Sequence, residues 1–455
     1  MINVQNELLS PLEQVQENVT EKAVQSVEML FVNEFTDGIL DPAENMLGPL
    51  KDGGTIIANI APGCWGPMMT PAIRGGQEVT KPVRIEGAEV GDSIVIEIDS
   101  IKVTSSATAS GVDQQIVDRF IGDPLLKVKC PGCGKLHPQT VVRSVGAGAI
   151  RCATCDTDTA PFKMVNGYTM ALNHKRGMGL TIGREAARKI GQKAHAFMRL
   201  PEQSVQNHSV SLAPSDLVGV MTRIRPFIAE IGTMPSKAMP ASYNAGDTGI
   251  PLIGASHEFS FTKEELDNHR TDGHLHMNRI REGAVLICPV KVTGAGMYIG
   301  DLRAMQGDGL LAGHSTNVSG IVQLKVSVLK KVAIDSPILL PNIDDLPFLA
   351  KPFTKEEKRI ARDLADEYGV KQLEEAFPLS FVGTGECIKS ATENALNCAT
   401  KLLELSQEEV KNRATIAGGV EIGRYPGAVT VTAQFPKSML KNARIFKYVK
   451  KQYDC

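Results

Sequence analysis

Two short cysteine pairs, Cys130-Pro-Gly-Cys133 and Cys152-Ala-Thr-Cys155, constrain this 455-residue chain more than any other feature. Eighteen residues lie between them, the spacing of a zinc ribbon. Each CxxC turn sets two thiolates on one side of a tight loop, and two such knuckles complete a tetrahedral S4 shell with Zn–S near ~2.3 Å. A closed shell leaves no position for water, so the expected zinc is structural. It holds together a stretch, residues 128–157, too short to build a core of its own. A redox CxxC normally stands as one pair beside a βαβ pattern, which is not the pattern here. Lys127, Lys129, Lys135 and Arg151 make only a mild positive patch around the ribbon.

The rest of the chain reads as a β-rich α+β protein. Nine cysteines are too few for a disulfide scaffold, and a reducing compartment would keep the cluster as thiols. No apolar run approaches the ~18–20 residues that cross a bilayer, and the first 27 residues lack an export signal, so the expected location is cytoplasmic. With 49 basic and 51 acidic side chains there is no electrostatic footprint for nucleic acid.

Ser10-Pro-Leu-Glu13 reads as a helix start. The expected units are an N-terminal helix (1–27), a β-rich domain (28–127), the ribbon (128–157), a central β-rich domain (158–336) and a C-terminal α/β segment (337–455). In Ser93–Ile101, Ile94, Ile96 and Ile98 take one face and Val95, Glu97 and Asp99 the other. A helix is expected from Arg184 to Met198, with Ala186, Ile190, Ala194 and Met198 on one side. Others are expected after the Thr354…Glu357 cap and over 386–405. Thr262…Glu265 is a further capping box, Ile321–Leu329 and Ala428–Ala433 read as strands, 337–352 as a proline-rich connection, and the end as a basic tail.

Chemistry concentrates between 269 and 317. Four of the nine histidines lie there: His269, His274, His276 and His314. In an extended segment His274 and His276 project on the same face, so one metal can take both. Asp272, Asp301 and Asp308 offer oxygen ligands or a general base, and glycines let backbone approach a ligand. Cys64, beside the only tryptophan, reads as an ordinary buried thiol or a nucleophile. No P-loop, GxGxxG after a strand, HExxH or GxSxG is present, which removes weight from nucleotide, dinucleotide and serine-hydrolase readings.

At these residues the sequence resembles the acetamidase/formamidase family of amide hydrolases. The matching pieces are Gly63–Pro67, Lys81–Asp92, Arg225–Thr233, Asn244–Asp247, Thr271–His274, Pro289–Val292 and Gly300-Asp301 through Gln306-Gly-Asp-Gly309 to His314. They span most of the chain outside the first 27 residues and the ribbon. The resemblance implies a layered β-sandwich or barrel with packed helices and the inserted ribbon, and a homo-oligomer (dimer or higher). It also implies a small linear amide as substrate, with no nucleic acid or membrane partner. The reaction releases ammonia and a carboxylate, with a second divalent metal, zinc or calcium, in the active site. On that reading Asp301 or Asp308 is the general base, Gln306 or Arg303 steadies the oxyanion, and His274, His276, Asp272 and His314 form the substrate and metal site. The chain departs from the family pattern at Tyr243, His276, Arg303 and Leu310, where ligands or proton carriers usually stand. A non-catalytic member acting as a binding or regulatory partner is the alternative those departures leave open.

Overall fold

The computed structural model describes residues 26–63, 66–269 and 272–453. Its centre is a 13-stranded mixed sheet. The long strands Leu47–Ile60, Gly320–Leu329 and Ser93–Val103 lie side by side in the middle. Parallel partners Val27–Val32 and Val83–Ile85 flank Leu47–Ile60, and antiparallel pairing carries the sheet onward from Ser93–Val103 to Ala428–Pro436.

This sheet separates two apolar cores, and Ser93–Val103 shows how. Ile94, Ile96 and Ile98 enter one core with Ile56, Leu286 and Leu324; Val95, facing the other way, joins Ile287, Phe381 and Ala395 in the second. Farther along, the second face turns outward at half-buried Glu97 and exposed Asp99. Fully burying each such aliphatic side chain contributes ~1.5–3 kcal/mol, so the alternation sets the strand's register.

The second core is closed by the helix Ile388–Leu403, which buries Ala391, Ala395 and Ala399 against the strands Ala376–Thr384 and Ala428–Pro436. Gly383 makes that approach possible, because a Cβ there would stand 2.1 Å from the Ala391 carbonyl oxygen. The expected basic tail is instead the helix Phe446–Tyr453, whose Tyr448, Val449 and Tyr453 join the same core. The 337–352 connection likewise contributes a buried strand, Ile338–Leu340.

Both capping boxes form: Thr262 with Glu265, and Thr354 with Glu357 at the head of Lys355–Glu367. The helix expected from Arg184 breaks at Lys193 (φ −120°, ψ 34°) into Arg184–Gln192 and Ala194–Phe197, and Ala187 rather than Ala186 faces inward. The helix start at Ser10 lies outside the described residues.

The architecture is the expected layered, β-rich α+β fold. It is not a closed barrel: the sheet's two end strands, Gly273–His274 and Gly419–Arg424, are not bonded to each other. A separate four-stranded sheet, running from Ala107–Gln115 to Met221–Arg223, covers part of the first core.

Candidate functional site

The four cysteines form the first cluster. Their sulfurs all lie within 4.8 Å of one another, with Cys130 to Cys155 at 3.4 Å and Cys133 to Cys152 at 3.9 Å. A tetrahedron with ~2.3 Å Zn–S bonds has edges of about 3.8 Å, so the thiols are already spaced for the ion. The two knuckles repeat one device. The residue after each second cysteine, Gly134 (φ 71°) and Asp156 (φ 59°), is left-handed and returns its N–H to the carbonyl of the first. The Thr157 hydroxyl and backbone bring the Cys155 thiol down to about 6, whereas burial pushes Cys130 up to about 12.

The ribbon rests on its own chain. Its hairpin, Thr140–Val142 with Ile150–Cys152, seats Ile150 against Met68 and Met69 of the short helix Gly66–Met69. Thr140 donates to the Met69 carbonyl at 3.4 Å, and Asn207 ties both together at 2.6 and 2.8 Å.

The second cluster is His274, His276 and Asp301, whose ligand atoms also fall within 4.8 Å of one another, all buried. Three strands assemble it. His274 sits on an edge strand opposite Glu230 of Phe227–Thr233, and Glu230 in turn pairs with Gly300, next to Asp301, on Met297–Arg303. The two histidines meet, though not by extended alternation. The N–H groups of Leu275 and His276 both reach the Ala229 carbonyl, and His276 adopts φ 54°. Asp301 is also left-handed, at φ 49°. Two non-glycine residues in that region hold a cost of order 1–3 kcal/mol each, sustained by the surrounding packing.

Hydrogen-bond partners decide the protonation. His274 Nδ1 lies 2.9 Å from the Ser242 carbonyl, which can only accept, so the proton is on Nδ1. Gln306 donates its amide to the carbonyls of His276 and Gly423, which aims its Oε1 at His276 Nδ1, 3.3 Å away. Both Nε2 atoms therefore present lone pairs, and they face each other at 2.5 Å, with Asp301 Oδ2 at 3.9 and 3.5 Å. Burial, then Arg424 for His274 and His274 for His276, holds both imidazoles well below the ordinary histidine value, so both are neutral at pH 7. The two Nε2 lone pairs and the Asp301 carboxylate thus converge on one buried point. Two imidazoles whose other nitrogen donates to an oxygen, plus a carboxylate, are a donor set that fits a divalent metal.

Arg303 grips Asp301 from behind, Nε to Oδ1 at 2.5 Å and Nη2 to Oδ2 at 2.7 Å, with both side chains fully buried. Gly63 backs the same carboxylate; a Cβ there would stand 2.3 Å from it. Gln77, a residue the sequence reading missed, places its amide nitrogen 2.8 Å from His274 Nε2. Nor did the sequence signal Ser242 or Arg424, which pairs with Asp247; only Asp247, in the Asn244–Asp247 segment, carried a signal.

Other expected residues stand elsewhere. Asp272 accepts from Thr233 N–H and hydroxyl and pairs with Lys291 at 2.5 Å, anchoring the edge strand rather than facing the imidazoles. Asp308 is half exposed and bound to Asn278 and Arg279. His314 bonds Asp113 at 2.8 Å on the wall of a cavity that none of the three cluster residues lines, Tyr243 bonds Asp123 on that same wall, and Leu310 is buried with φ 44°. Cys64 lies outside the described residues, and His269 ends the helix Lys263–His269. No described helix is long and apolar enough to cross a membrane.

A comparison with curated proteins returned no match. Among solved structures, a recombinant predicted acetamidase/formamidase from Thermoanaerobacter tengcongensis aligns with TM-score 0.51 at 15% identity, over 92% of this chain and 98% of that one. An acetamidase from Bacillus halodurans aligns with TM-score 0.51 at 16%, over 91% and 99%, and one from Yersinia enterocolitica with 0.50 at 14%, over 94% and 99%. At such identities the likeness speaks for the fold. The sequence model described as the acetamidase/formamidase family matches residues 65–442, which include the helix under the ribbon and every residue of the histidine–aspartate cluster. By fold and by sequence alike, this chain belongs to the acetamidase/formamidase family.

Proposed function

We propose that this protein hydrolyses the C–N bond of a small linear amide to ammonia and a carboxylate at His274, His276 and Asp301. The observation that carries the reading is the convergence of two neutral imidazole lone pairs and one carboxylate on a single buried point, inside a fold of amide hydrolases. A divalent metal held by the two Nε2 atoms and an Asp301 oxygen would polarise the amide carbonyl and acidify an attacking water.

The chain's own groups do the rest. Ser242 and Gln306 lock both ring orientations, so neither imidazole turns its protonated nitrogen inward. Arg303 fixes the position of the Asp301 carboxylate. The Gln77 amide, released from His274 Nε2 when that lone pair is engaged, donates to the oxyanion as water adds to the amide carbon. Asp301 accepts the water's proton and passes it to the nitrogen as the C–N bond breaks. The four cysteines hold a structural zinc, and a cytoplasmic, reducing setting keeps them as thiols.

The same reading makes the protein a homo-oligomer. Ile360 and Leu364 on Lys355–Glu367 are about half exposed, as is Phe353 (53%), and Phe348 is more so (85%). A second copy would cover this apolar stripe. The test of function is ammonia release from formamide, acetamide and longer amides with zinc, calcium or manganese added. Turnover that disappears in His276→Ala is expected; no turnover with any metal overturns the reading.

A further inference from the structure

We propose that the preferred substrate is an uncharged primary amide with a bulky apolar or aromatic substituent, received in the cavity beside the histidine–aspartate cluster. This rests on the hydrolase reading above. The cavity has a volume of about 610 Å3, within the ~300–1,000 Å3 of small-molecule sites. Formamide and acetamide are each about two to three waters in bulk, and at ~30 Å3 of liquid volume per water either fills roughly a seventh of it or less. A site built only for them would need no such space.

Two stretches of backbone make the cavity and the cluster neighbours. Ser242, whose carbonyl fixes His274, is followed directly by Tyr243, which lines the cavity. Gly63 lies against Asp301, and Pro67, four residues on, lines the cavity too; four residues of chain reach at most ~14 Å. The charge of Arg424 acts both on His274 in the cluster and on Tyr243 in the cavity wall.

The lining sets the chemical class. Met68, Leu125 and Phe162 supply an apolar surface suited to an aromatic ring or branched chain. The carboxylates of Asp113 and Asp123 lie on the wall, the first bonded to His314 and the second accepting from the Tyr243 hydroxyl, and no lysine or arginine is among the described residues lining it. An anionic substituent would meet those carboxylates without a lysine or arginine to balance it.

The experiment measures ammonia release from acetamide, phenylacetamide and (4-carboxyphenyl)acetamide, with binding of the same three followed by thermal shift. Wild type should show kcat/KM for phenylacetamide at least ~10-fold above acetamide, and at least ~10-fold above the carboxylated analogue. Ala255→Trp, which fills the cavity from its half-buried wall, should abolish both the gain and the thermal shift from phenylacetamide while leaving acetamide turnover within about twofold. Ala312→Trp, from the exposed 312–314 loop, repeats the test if the first variant does not fold. Acetamide turnover without phenylacetamide turnover or binding overturns the cavity assignment and leaves the hydrolase reading standing. Phenylacetamide binding that Ala255→Trp abolishes, without hydrolysis of any amide, does the reverse. An equal loss for all substrates in both tryptophan variants also overturns it.

Discussion

The chain carries two clusters suited to cations, and they are built in opposite ways. The cysteine cluster is local: four ligands within 26 residues, two copies of one turn, and a hairpin between them. The histidine–aspartate cluster is assembled by the sheet, from an edge strand, a neighbouring strand that sets the register and a third strand that brings Asp301 and Arg303. The first binds its own backbone into a hairpin and has four ligands for one ion, a set that suits structure. The second is held by the surrounding fold and offers three ligands, a set that would leave a bound ion room for chemistry.

Removing each metal site should therefore have different consequences, and the largest belongs to the ribbon. Cys152→Ser should lose one metal per chain and expose residues 128–157 to limited proteolysis, because a ribbon's metal binding is much of its folding free energy. The effect should also reach activity, since Ile150 supports Met68 and Met69, and Met68 lines the cavity. A variant with full activity and an intact ribbon would break the comparison.

His276→Ala should show the converse: one metal lost, activity down ~100-fold or more, and a melting temperature near wild type. Gln306→Ala is the milder form. It removes the acceptor that orients His276 and should weaken metal binding at the cluster by ~10–100-fold, measured by competition with a chelator, while leaving the ribbon's ion in place.

The sign of the pH response sharpens the contrast further. Both imidazoles titrate below the ordinary value near 6.5 when folded, so below that pH the unfolded chain binds protons that the folded chain does not. The metal-free protein should hold the full contribution above pH 6.5 and lose stability as pH falls toward the folded values, by at most about 1.4 kcal/mol per histidine per pH unit. Thermal unfolding at pH 5.5 and 7.5 checks this against His274→Gln/His276→Gln, in which the difference should shrink. The smallest expected effect is that of Asp308→Asn. Asp308 is half exposed and paired with Arg279, so stability should change by about 0–1 kcal/mol and activity by less than about twofold.

How much was legible in the sequence follows from the same difference in construction. The cysteine spacing, the alternation of Ile94, Ile96 and Ile98, and the capping boxes at Thr262 and Thr354 are local, and residue spacing carries them whole. The meeting of His274 with His276 was readable as a pair, but not its geometry, which depends on a bulge opposite Ala229 and a left-handed His276. Asp301, Asp308 and Asp272 look alike along the chain. Only strand pairing turns Asp301 toward the imidazoles, Asp272 toward Lys291 and Asp308 toward Arg279. Gln77 and Ser242 lie far from the histidines in sequence and bear no motif, so no spacing rule could have found them.

The central claim is that the sheet-built cluster is a metal-dependent amide-hydrolysing centre. Its most direct test is ammonia release by the purified protein while a divalent metal is titrated from one to two equivalents per chain. Activity that begins only with the second equivalent, and is absent at every loading in His276→Ala, is the predicted result. A wild-type protein that binds the second ion yet releases no ammonia from any amide, or one equally active without it, would contradict the account.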